Sequence, residues 1–172
     1  MSKAKRVLIT GATGFVGCYL SSHLLELGCE VFATSLSRPD QGGNKKTNTS
    51  VVTPTFYSLD VTNFENCLAV VRAIKPEVVY HLGAVSFVPQ AEKDFPQALQ
   101  VNCVGTDTLL KAISQHLTEQ QAEQVALKSP EAVGCRFVFI SSSEVYGAFA
   151  PTELPLTEKS ALRPNNNYAI SK

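Results

Sequence analysis

The chain has 172 residues, with 15 Lys+Arg against 15 Asp+Glu, 44% hydrophobic and 17% charged residues. That length fits one domain able to bury roughly 70% of its unfolded surface, and the composition excludes wholesale disorder. A neutral body offers little to a nucleic acid or an anionic membrane surface, so neither is expected as a partner. The apolar start Val7-Leu8-Ile9 breaks at Thr10-Gly11, too soon for a signal peptide, and no later stretch approaches a membrane span. Cys18, Cys29, Cys67, Cys103 and Cys135 are scattered and show no Cys-x-x-Cys spacing. They point to reduced thiols in a cytoplasmic protein, with no metal or disulfide framework.

Short β-branched apolar runs alternate with longer helical patterns, as in a parallel sheet with crossover helices. Arg6–Thr10 reads as a buried strand and Val16–Leu27 as an amphipathic helix, with Leu20, Leu24 and Leu27 at helical spacing and Gly28 as the stop. Glu30–Thr34 follows as a strand, and Ser37 to Thr53 as a polar loop rich in Gly, Asn and Lys. Thr55–Leu59 is expected as a strand, Asn63–Ile74 as a helix and Glu77–Leu82 as a strand. A long helix is expected from near Phe95 to His116, with Thr118–Ala126 as a candidate extension and Ser129-Pro130 as the break. Arg136–Ser141 reads as the last strand, and Gly147–Asn167, with three prolines, as a surface loop. Tyr168–Lys172 opens a further helix. The implied fold is α/β: a Rossmann-type, doubly wound parallel sheet of about five strands in the order 3-2-1-4-5, formed by one unit over residues 1–172.

Thr10-Gly11-Ala12-Thr13-Gly14-Phe15-Val16-Gly17 sets three glycines at the first strand-to-helix junction. Backbone must pass close to a pyrophosphate there, and the helix N-terminus supplies unpaired N–H donors and a positive dipole end. The spacing differs from Gly-x-Gly-x-x-Gly, but the context is the one a dinucleotide site requires. The ribose is expected at the end of the second strand. An acid there suits the diol of NAD, and a cation suits the 2′-phosphate of NADP. The sequence offers Thr34, Ser35, Ser37 and Arg38, and no acid before Asp40, which favours NADP over NAD.

Asp60-Val61 closes the third strand; the carboxylate can accept from an adenine amino group or cap the next helix. Leu82-Gly83-Ala84 ends the fourth strand with small residues against which a flat ligand can lie. His81, on that strand, reads as a satisfied structural histidine rather than a catalytic one.

Ser141-Ser142-Ser143-Glu144-Val145-Tyr146-Gly147 follows the fifth strand, and Tyr168-Ala169-Ile170-Ser171-Lys172 stands at the chain end. Tyr and Lys at i and i+4 share a helix face. A phenol with an ordinary pKa of about 10 must be brought down by roughly three to act as a base near neutrality, about 4 kcal/mol. A nearby ammonium and a bound nicotinamide cation can supply that shift, and a strand-end Ser hydroxyl can bind the same carbinol or carbonyl oxygen.

The combination resembles the extended short-chain dehydrogenase/reductase family, also called the NAD-dependent epimerase/dehydratase family. The matching residues are Thr10 to Gly17, Asp60-Val61, His81 to Ala84, Val101-Asn102-Cys103-Val104-Gly105-Thr106, Ser141 to Gly147 and Tyr168 to Lys172. The resemblance implies Tyr168 as the acid/base, Lys172 on the nicotinamide ribose and Ser142 on the substrate oxygen. It also implies that Asn102 supports the strand geometry beside the cofactor. Glu153-Leu154-Pro155-Leu156-Thr157-Glu158 with Leu162-Arg163-Pro164 is similar to the GDP-mannose 4,6-dehydratase and GDP-4-keto-6-deoxymannose reductase branch. There, Glu144 takes the place of a second acid/base; as a bare residue it can equally cap a loop. Asn166-Asn167 stands where the family often has Ser-Pro.

These likenesses imply a nucleotide-sugar substrate, with a GDP-sugar favoured, and leave reductase, dehydratase and epimerase open, as well as homodimerisation. A catalytically inactive dinucleotide-binding module, or a truncated product, is the alternative. The sixth strand and the substrate domain are expected to be absent. A single turn at Tyr168–Lys172 should then not hold its geometry without another chain, because isolated helices under roughly 12–15 residues are marginal. Such a chain is expected to bind a dinucleotide weakly and not to turn over a nucleotide sugar.

Overall fold

Along the strand β1 (Arg6–Thr10), alternate side chains face opposite sides of the sheet, and each side finds its own helices. Val7 and Ile9 join Val31 and Ala33 of β2 (Glu30–Ser35) in a cluster closed by Leu24 of α1 (Phe15–Glu26). Leu8 joins Phe32 and Val79 on the other face, covered by Leu68, Val71 and Ile74 of α2 (Phe64–Ile74) and by Leu109, Ala112 and Ile113 of α5 (Gly105–Leu127). A strand apolar on both faces must be sandwiched, which is why these runs show no polar alternation.

The computed structural model describes residues 4–36, 53–127 and 134–172. With β3 (Thr55–Ser58), β4 (Val78–His81) and β5 (Arg136–Phe139), the strands form one parallel sheet in the order β3-β2-β1-β4-β5. This is the expected Rossmann-type topology. Several strand ends shift: Leu59, Leu82 and Ile140 lie just past their ladders, although their N–H groups still donate to Ser35, Thr10 and His81 carbonyls. Of these three, Leu59 rims a cavity at the strand ends. Helix α1 begins one residue earlier than the pattern suggests and stops before Gly28 as expected. Asn63 caps α2, its side chain accepting from the Asn66 N–H.

The long helix is interrupted. The helix α4 (Phe95–Leu99) passes into a π turn at Gln100–Val104 before α5 runs on to Leu127, which includes the candidate extension. The wider turn rotates Asn102 inward, and hydrophobic periodicity carries no signal for that extra residue. An unanticipated helix, α3 (Val88–Lys93), precedes α4; Pro89 reads as a breaker but occupies its first turn, where proline is tolerated. The surface segment 147–167 contains a 3-10 turn at Pro151–Glu153, and Arg163 pins it by pairing with Glu153 at 3.1 Å and lying over the Phe149 ring at 4.6 Å. The helix α6 (Asn167–Ile170) closes the chain. The expected polar loop from Ser37 onward and the Ser129-Pro130 break lie outside the described residues, apart from Thr53.

Candidate functional site

The turn after β1 is built on backbone contact. Gly11 has φ +66°, and a Cβ there would sit 2.8 Å from the Gly83 nitrogen. Gly17, in the first turn of α1, presses on the same turn, since its Cβ would lie 2.6 Å from Ala12 Cα. Larger residues would push α1 off the sheet. The N-cap of α1 is Gly14, whose N–H is donated to the Gly11 carbonyl at 3.0 Å, and no side chain caps the helix. The first-turn N–H groups therefore face outward without a side-chain acceptor, at the positive end of the helix dipole. Phe15, 81% exposed, and Val16 flank this opening.

Beside it lies a cavity of about 340 Å³ across the carboxyl ends of β1 to β4. It opens where the strand order reverses between β1 and β4, the place where open α/β sheets bind ligands. Of the residues expected to touch a cofactor, Gly11, Thr13, Ser35, Asp60, Val61, Gly83 and Ala84 line it. Gly14, Phe15, Val16 and Gly17 stand at the adjoining helix start, and Leu82 lies behind Gly83. Arg38 lies outside the described residues. Thr34, offered for the ribose, and Val101, within the matching residues, line it too; Leu36, Leu59 and Val85 do so without having been anticipated, as do Gln90 of α3 and Gln97 of α4. Gln90 was out of reach because α3 itself was unanticipated; Gln97 falls within the helix expected from Phe95, where nothing in its residue type marks it as facing the cavity. Apolar side chains of Leu36, Leu59 and Val61 make a slot suited to a flat ring.

Asp60 does not cap α2; that alternative is corrected by Asn63. Its Oδ1 instead accepts from the Thr62 N–H at 2.9 Å and the Thr62 hydroxyl at 2.7 Å. The carboxylate is thereby held at the cavity edge. Burial and the Asp60 charge push the neighbouring Cys67 thiol up to about 11, so it is inert.

The Tyr168–Lys172 turn is fastened on three sides, contrary to the expectation that it would not hold alone. Asn166 caps α6, its Oδ1 accepting from the Ala169 N–H at 2.7 Å. The Asn167 N–H and side-chain amide donate to the two oxygens of Glu92 on α3, at 2.7 and 3.0 Å. Asn102 bonds Ser171 at 2.8 Å, and the Cys103 thiol donates to the Ser171 carbonyl at 3.4 Å. Tertiary bonds replace the helical length that the turn lacks.

The four candidate catalytic side chains gather at this end of the sheet. Ser142 begins a 3-10 turn at Ser143–Tyr146, its oxygen accepting from the Glu144 N–H at 3.2 Å, which leaves the hydroxyl proton to donate. The Glu144 carboxylate accepts from the Asn166 side chain at 2.9 Å. Tyr168 is 9% exposed and packs with Ala91 and Ala98. The helix ends at Ile170, so Lys172 lies just beyond it, its ammonium 4.8 Å from the centre of the Phe139 ring and the Ser141 hydroxyl donating to its carbonyl at 3.4 Å. Burial lowers the Lys172 pKa from its ordinary value, with Cys103 opposing. Neither the Tyr168 phenol nor the Lys172 ammonium hydrogen-bonds another described side chain. Asn102 is 2% exposed and fully engaged within the protein: its Oδ1 accepts from the Val85 N–H at 2.7 Å and its amide donates to the Val85 carbonyl at 3.0 Å and to Ser171. It braces the site from behind rather than facing the cavity.

His81 is structural, as expected. Burial, and then the Lys172 charge, push its pKa down to about 4, so the ring is neutral. All five cysteines are free. Among the described residues no group of three His, Cys, Asp or Glu could hold a metal, and no helix is long and apolar enough to cross a membrane.

A doubly wound sheet, a glycine turn feeding an uncapped helix, and a Tyr/Lys turn beside a Ser-rich strand end define a Rossmann domain of the extended short-chain dehydrogenase/reductase type. The family profile described as GDP-mannose 4,6 dehydratase matches residues 8–172, and the chain belongs to that family. It is 30% identical to a GDP-mannose 4,6-dehydratase of Yersinia enterocolitica, covering 98% of this chain and 43% of that protein. The solved structure of RMD from Pseudomonas aeruginosa complexed with NADPH is similar at TM-score 0.69 and 26% identity, covering 98% of this chain and 45% of that one. A Thermus thermophilus UDP-glucose 4-epimerase complex with NAD matches at TM-score 0.73 and 27% identity, covering 97% and 47%. The chain thus spans less than half the length of these relatives.

Proposed function

We propose that this chain is the NAD(P)-binding portion of a cytoplasmic sugar-nucleotide dehydratase, reductase or epimerase, with a GDP-sugar as the favoured substrate and NADP as the favoured cofactor. The observation that carries the reading is the uncapped start of α1 beside the close Gly11–Gly83 contact. A Cβ would fill that cradle, and outward N–H groups meet a pyrophosphate there. Asp60 and the slot of Leu36, Leu59 and Val61 suit the adenosine end, and the Tyr168–Lys172 turn suits the nicotinamide end.

When bound, the dinucleotide supplies the hydride acceptor or donor. The Tyr168 phenol moves the proton of a sugar hydroxyl. The Lys172 ammonium stabilises the phenolate and binds ribose hydroxyls. Ser142 donates its free hydroxyl proton to the sugar oxygen. Glu144 carries a proton at the carbon next to a transient ketone, an acidified position. Its bond to Asn166 holds the carboxylate on the same side as α6.

Calorimetric titration with NADP, NAD and a panel of GDP-, UDP- and dTDP-sugars tests this reading. Dinucleotide binding with NADP ahead of NAD is expected. A folded chain that binds neither dinucleotide overturns the proposal.

A further inference from the structure

Thr10 and His81 are register partners across β1 and β4, and both are almost completely buried. Thr10 Oγ1 lies 2.7 Å from His81 Nδ1, and His81 Nε2 lies 3.0 Å from Thr106 Oγ1 on α5. At one end of this row the Gly83 N–H donates to Thr10 Oγ1 at 3.0 Å; at the other the Thr106 hydroxyl donates to the Asn102 carbonyl. The proton count then fixes the ring. Thr106 gives its single proton to Asn102, so its oxygen accepts from His81 Nε2–H. The imidazole is neutral, and Nδ1 accepts the Thr10 proton, while Thr10 oxygen accepts from Gly83. Every donor has an acceptor, and all run in one direction.

We propose that His81 is a positioning residue, a neutral Nε2–H imidazole that couples the glycine turn at Gly11 and Gly83 to the π turn carrying Asn102, and through Asn102 to the Tyr168–Lys172 turn. The row joins the two ends of the candidate site. Gly83 is the residue against which Gly11 packs, and Asn102 is the residue that fastens Ser171. The ring also lies against Phe137 and Phe139, with centroids 5.7 and 6.1 Å apart, and Phe139 carries the Lys172 ammonium on its face. A neutral ring keeps a second positive charge away from that ammonium. This role rests on the dinucleotide reading, which makes the placement of Lys172 and the shape of the glycine turn parts of one site.

The test uses the uniformly 15N-labelled 172-residue chain, and the variants His81→Phe and Thr106→Val, with the surface substitution Thr118→Val as control. Nitrogen shifts should report Nε2–H and an unprotonated Nδ1 at neutral pH. In Thr106→Val the amide signals of both Gly83 and Ser171 should move, although Thr106 bonds neither. NADPH affinity, measured well below the melting temperature, should fall about tenfold in both variants and stay unchanged in the control. An Nδ1–H ring, a Ser171 signal indifferent to Thr106→Val, or variants that melt earlier yet bind NADPH as the parent does would each overturn the proposal. If the parent chain binds no dinucleotide, the functional reading fails instead, and the tautomer and the Ser171 shift still decide the role of His81.

Discussion

The carboxamide of Asn102 donates to the Ser171 hydroxyl at 2.8 Å, across 69 positions of sequence. The same side chain brackets the N–H and carbonyl of Val85, so one residue on the π turn ties the loop after β4 to the last turn of the chain. A helix of four residues has no stability of its own, and these bonds hold Tyr168 and Lys172 where they are. Asn102→Ala leaves the part-buried N–H and carbonyl of Val85 unmatched and removes one of the two partners of the Ser171 hydroxyl, which keeps its bond to the Tyr168 carbonyl. It should cost about 1–3 kcal/mol and speed hydrogen exchange at residues 168–172 more than in the sheet. Uniform exchange over the whole chain would count against this brace.

The glycine turn gives a sharper contrast. Gly11→Ala meets both a left-handed backbone and the Gly83 nitrogen, and Gly17→Ala meets Ala12. Both should lower stability by about 1–3 kcal/mol in denaturant titrations. Both should also abolish the calorimetric signal with NADP and NAD, even where circular dichroism shows the fold intact.

Stability should depend on pH through His81. Its folded pKa of about 4 lies below the ordinary value of 6.5, so between these values the unfolded chain binds a proton that the folded chain refuses. Stability therefore rises with pH across that window: the contribution is complete above about 6.5 and is lost as pH falls toward 4, about 3 kcal/mol in all. His116, lowered mainly by its burial, acts in the same direction. Urea titrations from pH 4 to 7.5 should show a slope that His81→Phe reduces. An unchanged slope would mean that the ring binds its proton equally well in the folded and unfolded chain, contrary to a burial-lowered pKa.

Tyr168 and Lys172 should separate in binding experiments. The phenol bonds no described side chain, so Tyr168→Phe should change stability by less than about 0.5 kcal/mol and leave NADPH affinity near that of the parent. Lys172→Ala removes the cation expected to meet the ribose and should weaken NADPH several-fold. Equal effects of the two substitutions would contradict these assignments.

The sheet was legible because the inner strands β1, β2 and β4 are short apolar runs buried on both faces, and because glycine punctuation marks the β1–α1 junction. Gly11, Thr13, Asp60, Val61, Gly83 and Ala84 could be placed at one cavity since parallel strands all present their carboxyl ends to the same side. Gln90 escaped because α3 was not expected, its Pro89 being a helix breaker except in a first turn, and Gln97 escaped because helical periodicity does not say which polar side chain faces a cavity. The alternative of Asp60 as a helix cap was open in the sequence, since Asp60 and Asn63 are both capping residue types; only the observed bonds to Thr62 and Asn66 choose between them.

The alternation of strand and helix patterns by itself determined the α/β class, and the glycine turn at the first strand-to-helix junction pointed to the Rossmann-type order that the sheet shows. The expectation that a terminal Tyr/Lys turn could not stand on its own followed correctly from helix–coil physics, which sees only neighbours in sequence. Tertiary structure decided otherwise. Glu92, Asn102 and Cys103 reach the turn from α3 and the π turn, from 68 to 75 positions away, and such partners are set by packing, not by local propensity.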